Sequence, residues 1–290
     1  DLPREVPGID IVEWLVIDDG SADRTVEVAR SLGVDHIVSH GHNRGLAAAF
    51  MTGIDACLRA GADIIVNTDA DNQYEGSSIP DLVAPVLAGD ADMIVGERPI
   101  EHIDDFSKTK KLLQRIGSSV VRRFSGTTVR DAASGFRAYS RDAAMRVQVF
   151  GRYSYTMETI IQAGWNGIRV GSVPVGVNPK TRESRLVRSV PQYLSRSGQS
   201  IVRSFALYKP FRFFLMLGMV PFTLGLLLML RWLLLYVIDE PYQSRLPSLL
   251  SGIGLLLVAV QIWSVAFLAD LMAANRRVLQ ELQLRSKRVE

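Results

Sequence analysis

The sequence contains few cysteines and histidines, and its charges nearly cancel. Its 290 residues include one cysteine and 4 histidines, and 33 basic residues stand against 30 acidic ones. A single cysteine excludes a disulfide scaffold. A hydrophobic share of 48% excludes a disordered chain, and 23 glycines with 12 prolines exclude a collagen-like repeat. The length allows one large domain or two smaller ones.

Several common nucleotide- and metal-binding patterns are also missing. Residues 1–179 contain no Walker A motif and no GxGxxG between a strand and a helix, so P-loop and Rossmann dinucleotide interpretations both fail. His36, His40 and His42 lie around a predicted strand end without a nearby cysteine, which is not typical of a metal site. Cys57 lies in a predicted helix, and we expect it to be a reduced core residue.

Two long hydrophobic runs stand near the C-terminus. Residues 213–230 and 246–269 contain no charged side chain, and roughly 20 apolar residues are enough to cross a bilayer as a helix. We predict that 211–275 forms two transmembrane helices, at about 212–238 and 246–271, joined as a hairpin. A pair of buried core helices is the alternative, although core helices usually keep a polar stripe.

The near-neutral total charge conceals three segments of different charge. Residues 1–179 contain 18 basic and 24 acidic residues, whereas 180–212 contain eight basic residues and one acidic residue. A basic strip beside a bilayer suits anionic headgroups, so we predict amphipathic interface helices over 180–210. The two hydrophobic runs predict an integral protein of the plasma or inner membrane, and their basic flanks, including the tail 276–290, predict its orientation. Its termini and its N-terminal domain are expected to be cytoplasmic, and the acidic domain predicts no nucleic-acid partner.

Residues 1–100 alternate short apolar runs with helical stretches. The predicted strands are 13–18, 36–39, 63–67 and 93–95, and the predicted helices are near 23–32, 45–60 and 78–88. This alternation predicts an α/β domain over 1–179 whose mostly parallel sheet is covered on both faces. Polar groups follow every strand, at the end where open α/β sheets bind ligands. These groups are Asp18-Asp19-Gly20-Ser21, His42-Asn43-Arg44-Gly45, Asp69-Ala70-Asp71 and Gly96-Glu97-Arg98.

Among these polar groups, the DxD triplet Asp69-Ala70-Asp71 most strongly indicates a site with a chemical function. Carboxylates at i and i+2 on a turn can share Mg²⁺ or Mn²⁺, which prefer oxygen ligands and are often completed by substrate phosphates. A solvated turn is the alternative. A haloacid-dehalogenase-type phosphatase also uses DxD but expects Thr or Val where Gln73 stands. The doublet Asp18-Asp19 is more than helix capping requires, so we expect it to bind a nucleotide.

These motifs resemble the GT-A glycosyltransferases of family 2 that act on polyprenyl phosphates, such as dolichol-phosphate mannose synthases and undecaprenyl-phosphate glycosyltransferases. The matching pieces are DDGSADRT (18–25), NRGLAAAF (43–50), DADNQ (69–73), GER (96–98) and DAASGFRAYSRDA (131–143), followed by the two hydrophobic runs. The resemblance covers nearly the whole chain and implies a Rossmann-like GT-A domain. It also implies an Mg²⁺- or Mn²⁺-dependent transfer of sugar from a UDP- or GDP-sugar to a dolichyl or undecaprenyl phosphate. A single displacement by the lipid phosphate would invert the anomeric carbon, so we expect an inverting reaction.

The resemblance also implies roles for the residues at matching positions. The residues expected to bind the nucleotide sugar are Asp18, Asp19, Asn43, Gly45, Asp69 and Asp71. Those expected to hold the metal and the diphosphate are Asp69, Asp71 and Gln73. Those expected at the acceptor phosphate are Arg98, Arg115, Ser119, Ser134, Arg137 and Arg185. The expected catalytic residues are Asp71, Asp131, Arg98 and Arg137.

The sequence departs from the family pattern at two places. The family normally opens with a strand that ends in Pro-x-x-Asn-Glu, and this sequence starts after that point, so we expect the first strand of the fold to be missing. Many members have Arg-x-x-Gly-x-Ser-Lys before the membrane, whereas 180–186 reads KTRESRL here. The segment stays basic, but this difference leaves the identity of the sugar undefined.

Two other functions are also compatible with the sequence. The first is a GT-A transferase with a different lipid or a polysaccharide as its acceptor, although the QxxRW motif of processive synthases is absent. The second is a catalytically silent membrane scaffold that binds nucleotide sugar. In either case the helical hairpin could support a homo-oligomer.

Overall fold

The computed structural model describes residues 2–99, 108–149, 155–179, 190–238 and 246–289. The chain divides into two compact units, Asp1–Val202 and Arg203–Glu290. The domain boundaries expected after residues 179, 210 and 275 stay predictions. Among the site residues named above, Arg185 lies outside the described residues.

The first unit alternates strands with helices, as its apolar periodicity predicts. Its strands are β1 (Leu15–Asp18), β2 (His36–Ser39), β3 (Ile64–Asn67), β4 (Met93–Glu97), β5 (Arg137–Ser140) and β6 (Val170–Pro174). Its helices are α1 (Thr25–Ser31), α2 (Leu46–Arg59), α3 (Ile79–Leu87), α4 (Lys108–Ser125), α5 (Arg141–Arg146) and α6 (Thr156–Trp165). A 3₁₀ turn, Gly76–Ser78, precedes α3. The four strands and three helices expected over residues 1–100 are therefore confirmed, with small differences at their ends.

The strands form two sheets whose members mostly run in one direction. β1 and β2 pair in parallel, with Leu15 opposite His36 and Asp18 opposite Ser39. The second sheet has the order β3-β5-β4-β6, in which β4 and β6 are parallel and β5 is antiparallel to both β3 and β4. The α/β class with a mostly parallel sheet is confirmed, and β5 is the one reversed strand that the described residues contain.

Helix α2 ties the two sheets together. On the β3 side, Phe50 and Ile54 pack with Ile65 in the main hydrophobic core. On the β1 side, Gly53 approaches Ile17 so closely that a Cβ on Gly53 would lie 3.3 Å from Ile17 Cγ1. Burial of these apolar side chains against one helix stabilises both sheets. The loops that follow β1 and β3 are thereby positioned by the same helix.

The second unit contains two long apolar helices. Helix α7 (Val190–Tyr208) spans the division between the units, and α8 (Pro210–Ile238) and α9 (Leu246–Val289) follow it. Both α8 and α9 are long and apolar enough to cross a membrane. In the most apolar 18-residue segment of each helix, only 11% and 17%, respectively, is buried inside the protein. Most of this apolar surface therefore has no cover from the described part of the chain, as expected for helices that face lipid.

Helices α8 and α9 pack against each other through small residues. Gly218 and Gly225 of α8 are buried, and a Cβ on Gly225 would lie 2.9 Å from the carbonyl oxygen of Gly252. The buried small residues of α9 recur every seven positions, at Gly252, Ala259, Ala266 and Ala273. This spacing is typical of closely packed, left-handed helix pairs. The sequence analysis did not predict this seam, which is used within the chain; the expected homo-oligomer stays a prediction.

Candidate active site

The DxD turn directly follows β3. Burial and the neighbouring Asp71 raise the pKa of Asp69, and the positive charges of Arg98 and Arg137 offset part of this increase. Asp71 Oδ1 accepts a hydrogen bond from the backbone N–H of Gln73 at 3.2 Å. Between them, Asn72 has a φ of 55°, a left-handed conformation that asparagine adopts more readily than most side chains. The turn thus holds two interacting carboxylates beside two arginines.

The donor set of this turn fits a divalent cation that has other ligands as well. Among the described residues, no group of three or more His, Cys, Asp or Glu side chains could hold a metal ion. The turn itself offers only the carboxylates of Asp69 and Asp71, so phosphate oxygens and water would supply the other ligands that Mg²⁺ or Mn²⁺ needs. The structure shows a backbone contribution of Gln73 to the turn, and its role as a metal ligand stays a prediction.

Gly135 packs directly against Asp69. A Cβ on Gly135 would lie 2.9 Å from Asp69 Oδ2 and 2.8 Å from Tyr155 Oη. Asn67, the last residue of β3, donates from Nδ2 to the carbonyl oxygen of Gly135 at 2.8 Å and to Tyr155 Oη at 2.7 Å. The N–H of Gly135 in turn donates to Tyr74 Oη at 3.1 Å. Asn67, Tyr74 and Tyr155 were not predicted from the sequence, because no motif or spacing marks them.

Arg98 and Asp131 form a two-point ion pair. Arg98 Nε donates to Asp131 Oδ2 at 2.7 Å, and Arg98 Nη2 donates to Asp131 Oδ1 at 3.0 Å. The side chain of Asp131 is 1% exposed and that of Arg98 is 15% exposed. Parallel charge-assisted bonds of this kind fix the plane of the guanidinium. Asp131 thus orients Arg98 at the edge of the site.

Arg137 lies entirely inside the protein. Its Nε donates to the carbonyl oxygen of Ser134 at 2.8 Å, its Nη1 to Thr159 Oγ1 at 2.6 Å and its Nη2 to the carbonyl oxygen of Ala132 at 3.1 Å. These bonds hold the loop between Asp131 and β5 in place. Arg137 and Ser134 are both 0% exposed, so either would reach an acceptor phosphate only after a rearrangement. Their assignment to the acceptor site stays a prediction.

Helix α4 presents two further predicted acceptor residues at its surface. Arg115 and Ser119 are exposed and stand one helical turn apart. Ser118, between them, is buried, and its Oγ accepts a hydrogen bond from the N–H of Ala132 at 3.2 Å. Helix α4 is thereby attached to the loop that follows Asp131.

The two members of the acidic doublet have different partners. Asp18 is buried and Oδ1 accepts the N–H of Ser21 at 2.9 Å, and hydrogen bonds with Ser21 lower the pKa of Asp18. Asp18 thus closes the turn after β1 and does not cap α1, whose N-cap residue is Arg24. Asp19 accepts the N–H groups of Arg44 and Gly45 at 2.9 and 2.8 Å, which joins the loops after β1 and β2.

His40 is a further member of this cluster. Its Nδ1 lies 2.7 Å from Asp19 Oδ1, and its Nε2 lies 3.0 Å from Thr52 Oγ1. Burial alone would raise the pKa of Asp19, but hydrogen bonds from His40 and from two backbone N–H groups lower it. The sequence analysis considered His40 only as a metal ligand, and the structure shows it as a partner of Asp19. Asn43 is exposed on the same loop.

We expect Asp19→Asn to remove an acid-sensitive part of the protein's stability. Because the folded-state pKa of Asp19 is lowered, ionised Asp19 stabilises the fold above the ordinary carboxyl range and loses this effect as the pH falls through the lowered pKa. The variant should lose about 1–3 kcal/mol at neutral pH and resemble the wild type in acid. Thermal unfolding across a pH series measures this, with the exposed Asp10→Asn as the control. A constant gap between wild type and variant at all pH values would contradict the prediction.

Solved structures with a similar fold identify the class to which this domain belongs. Glucosyl-3-phosphoglycerate synthase from Mycobacterium tuberculosis superposes with a TM-score of 0.52 at 21% identity, covering 68% of this chain and 69% of that one. At this identity the likeness shows the fold alone. The first unit has the GT-A-like, Rossmann-type fold.

Sequence comparison gives the family. The model of glycosyl transferase family 2 matches residues 8–147. An uncharacterized protein of Methanocaldococcus jannaschii is 35% identical over 168 residues, which cover 56% of this chain and 68% of that protein. A dodecaprenyl-phosphate galacturonate synthase of Rhizobium johnstonii is 29% identical over 278 residues, which cover 90% of this chain and 78% of the synthase. The chain belongs to glycosyl transferase family 2.

Proposed function

We propose that the protein transfers a sugar from a nucleotide-diphosphate sugar to a polyprenyl phosphate and releases the nucleoside diphosphate. The observation that carries this proposal is the meeting of opposite charges in one site. Asp69 interacts electrostatically with Asp71 on one side and with Arg98 and Arg137 on the other. A site of this composition suits a reaction between an anionic donor, which binds with a cation, and an anionic acceptor, which binds to arginine.

The second unit and one relative support a lipid as the acceptor. Helices α8 and α9 could cross a membrane, and a polyprenyl phosphate is held in a membrane by its tail. The Rhizobium johnstonii protein, similar over 90% of this chain, is named as a dodecaprenyl-phosphate galacturonate synthase. The proposal takes from this relative the acceptor class and not the sugar. The basic flanks of the two helices support a location of the first unit and both termini in the cytoplasm.

The proposed chemistry is a single displacement at the anomeric carbon. An oxygen of the lipid phosphate bonds to that carbon as the bond to the leaving diphosphate breaks, which inverts the configuration. A phosphate monoester has a second pKa of about 6, so the nucleophile is mostly dianionic and needs no general base. Asp69 and Asp71 would hold Mg²⁺ or Mn²⁺, which neutralises charge on the leaving diphosphate.

The protein's own task is then to position two anions that repel each other. Arg98 offers a planar guanidinium that suits a phosphate, and Asp131 holds its plane through two hydrogen bonds. In this proposal Asp131 acts as an ionised partner of Arg98 and removes no proton. Asp19, His40 and the N–H of Gly45 form the nucleotide end of the site.

The proposal is tested by the transfer reaction itself. The purified chain is incubated in detergent with undecaprenyl or dolichyl phosphate, with a panel of UDP- and GDP-sugars, and with Mg²⁺ or Mn²⁺. A lipid-linked sugar should appear by mass spectrometry together with the nucleoside diphosphate, and EDTA should abolish it. Nucleotide binding without transfer under all conditions would favour the silent scaffold. Transfer to a polysaccharide or another lipid alone would favour the other acceptor class.

We expect Arg98→Ala to raise the KM for lipid phosphate by about 10- to 100-fold, as the loss of a charge-assisted contact implies, with little change in the KM for the donor. Since this variant removes the two hydrogen bonds that Arg98 donates to the buried Asp131, Arg98→Lys provides a second test that keeps the positive charge and loses the planar guanidinium. The exposed neighbour Arg130→Ala is the matched control. A lower Tm in both variants with an unchanged lipid KM would remove Arg98 from the acceptor site.

A further inference from the structure

We propose that Asn178 is a positioning residue for the DxD turn, so that its side chain sets the affinity of the turn for a metal–nucleotide complex. This inference rests on the function proposed above for Asp69 and Asp71. Asn178 lies after β6, outside every motif that the sequence analysis identified, and 106 residues from Asn72, which it contacts.

Asn178 binds two successive carbonyl groups of the turn. Its side-chain Nδ2 donates to the carbonyl oxygen of Asn72 at 3.0 Å. Its backbone N–H donates to the carbonyl oxygen of Gln73 at 2.9 Å. One residue therefore fixes the two peptide groups that follow Asn72, and no part of these contacts uses a carboxylate.

The turn needs such support because its backbone is left-handed at Asn72, where φ is 55°. Asparagine adopts this conformation more readily than most side chains, but only as a single residue held by its surroundings. Asp71 is oriented through the N–H of Gln73, which donates to its Oδ1 at 3.2 Å. If the peptide between Asn72 and Gln73 rotates, that N–H moves, and the carboxylate of Asp71 loses its fixed direction.

The remaining links between the two segments do not involve the side chain of Asn178. Tyr74 and Val177 form an isolated antiparallel bridge, and the N–H of Glu75 donates to the carbonyl oxygen of Gly176 at 3.2 Å. These backbone contacts remain when the amide of Asn178 is removed. A variant at this position should therefore loosen the turn while the two segments stay paired and the domain stays folded.

The test is equilibrium binding of nucleotide to the full chain, measured by calorimetry well below the Tm, with UDP and GDP and with or without Mn²⁺. Asn178→Ala and Asn178→Leu both lose the donor, and the second keeps a similar side-chain volume. Each should weaken binding in the presence of Mn²⁺ by about three- to tenfold, as expected for one lost hydrogen bond. Binding without Mn²⁺ should not change, and the Tm should fall by no more than one lost hydrogen bond explains. Asn166→Ala, at the exposed end of α6, is the matched control.

The outcomes separate this inference from the proposed function. If the wild type shows no Mn²⁺-dependent binding of either nucleotide, the proposed function of the turn is wrong. If the wild type shows it and both variants bind equally well, Asn178 does not position the turn. If the variants weaken binding equally with and without Mn²⁺, or lose more stability than one hydrogen bond explains, the role of Asn178 is general to the fold and the inference is overturned.

Discussion

Replacing Asp71 with asparagine is expected to lower turnover by about 10²- to 10³-fold, the usual loss when an electrostatic contribution to a transition state is removed. Asparagine keeps the shape of the side chain, and its carbonyl oxygen can still accept the N–H of Gln73, as Asp71 Oδ1 does at 3.2 Å. What the variant removes is one of the two carboxylate charges that a divalent cation would balance. The Asp71→Asn variant should therefore keep its fold and its Tm while it loses activity.

The same variant should also change how Mn²⁺ affects the affinity for nucleotide. Without Mn²⁺, the negative charge of Asp71 repels the anionic nucleotide, so the variant should bind nucleotide without Mn²⁺ at least as well as the wild type does. It should lose the additional affinity that Mn²⁺ provides. Steady-state transfer assays and calorimetry measure both effects, with the exposed Asp81→Asn as the control. Retention of full turnover would exclude Asp71 from the metal site.

Much of the first unit could be predicted from the sequence because its elements have strong local signals. The runs that form β1 to β4 are short and apolar, and polar turn residues follow each of them. Strand β5 was not predicted, since three of its four residues are buried and it shows no alternation of apolar and polar side chains. The reversed direction of β5 depends on pairing with β3 and β4, which no local pattern encodes.

In the candidate site, too, some residues could be predicted from local sequence and others could not. The sequence analysis brought Asp69, Asp71 and Arg98 together by one rule, that polar residues follow the carboxyl ends of strands, and these side chains do interact. The residues that hold them in place were missed because their contacts are distant in sequence. Asn67 and Tyr155 are 88 residues apart.

For the hairpin of α8 and α9, the sequence predicts the two helices but not the faces through which they pack. Composition alone predicts two long apolar helices, since a charge-free run of this length has few other stable environments. It does not show which face of each helix packs, because large apolar residues occupy every face. The seven-residue recurrence of Gly252, Ala259, Ala266 and Ala273 becomes recognisable only when Gly225 is found against Gly252.

Gly135→Ala is expected to lower turnover by about 100-fold or more, although the change adds a single methyl group. The added Cβ would lie 2.9 Å from Asp69 Oδ2 and 2.8 Å from Tyr155 Oη, so at least one of these groups must move. A displacement of about 1 Å at a reacting site can cost a factor of about 10² in rate. The same crowding should lower the free energy of unfolding by about 1–3 kcal/mol.

A double variant separates the two effects of this methyl group. Combining Gly135→Ala with Tyr155→Phe removes the Tyr155 hydroxyl, one of the two crowded contacts, while the contact with Asp69 Oδ2 at 2.9 Å remains. The double variant should therefore recover part of the lost Tm and little of the lost turnover, because the carboxylate proposed to hold the metal is still displaced. Gly198→Ala, where a Cβ meets no atom within 4 Å, is the control for the substitution itself. Full recovery of turnover in the double variant would show that Tyr155, and not Asp69, is the group that the methyl displaces.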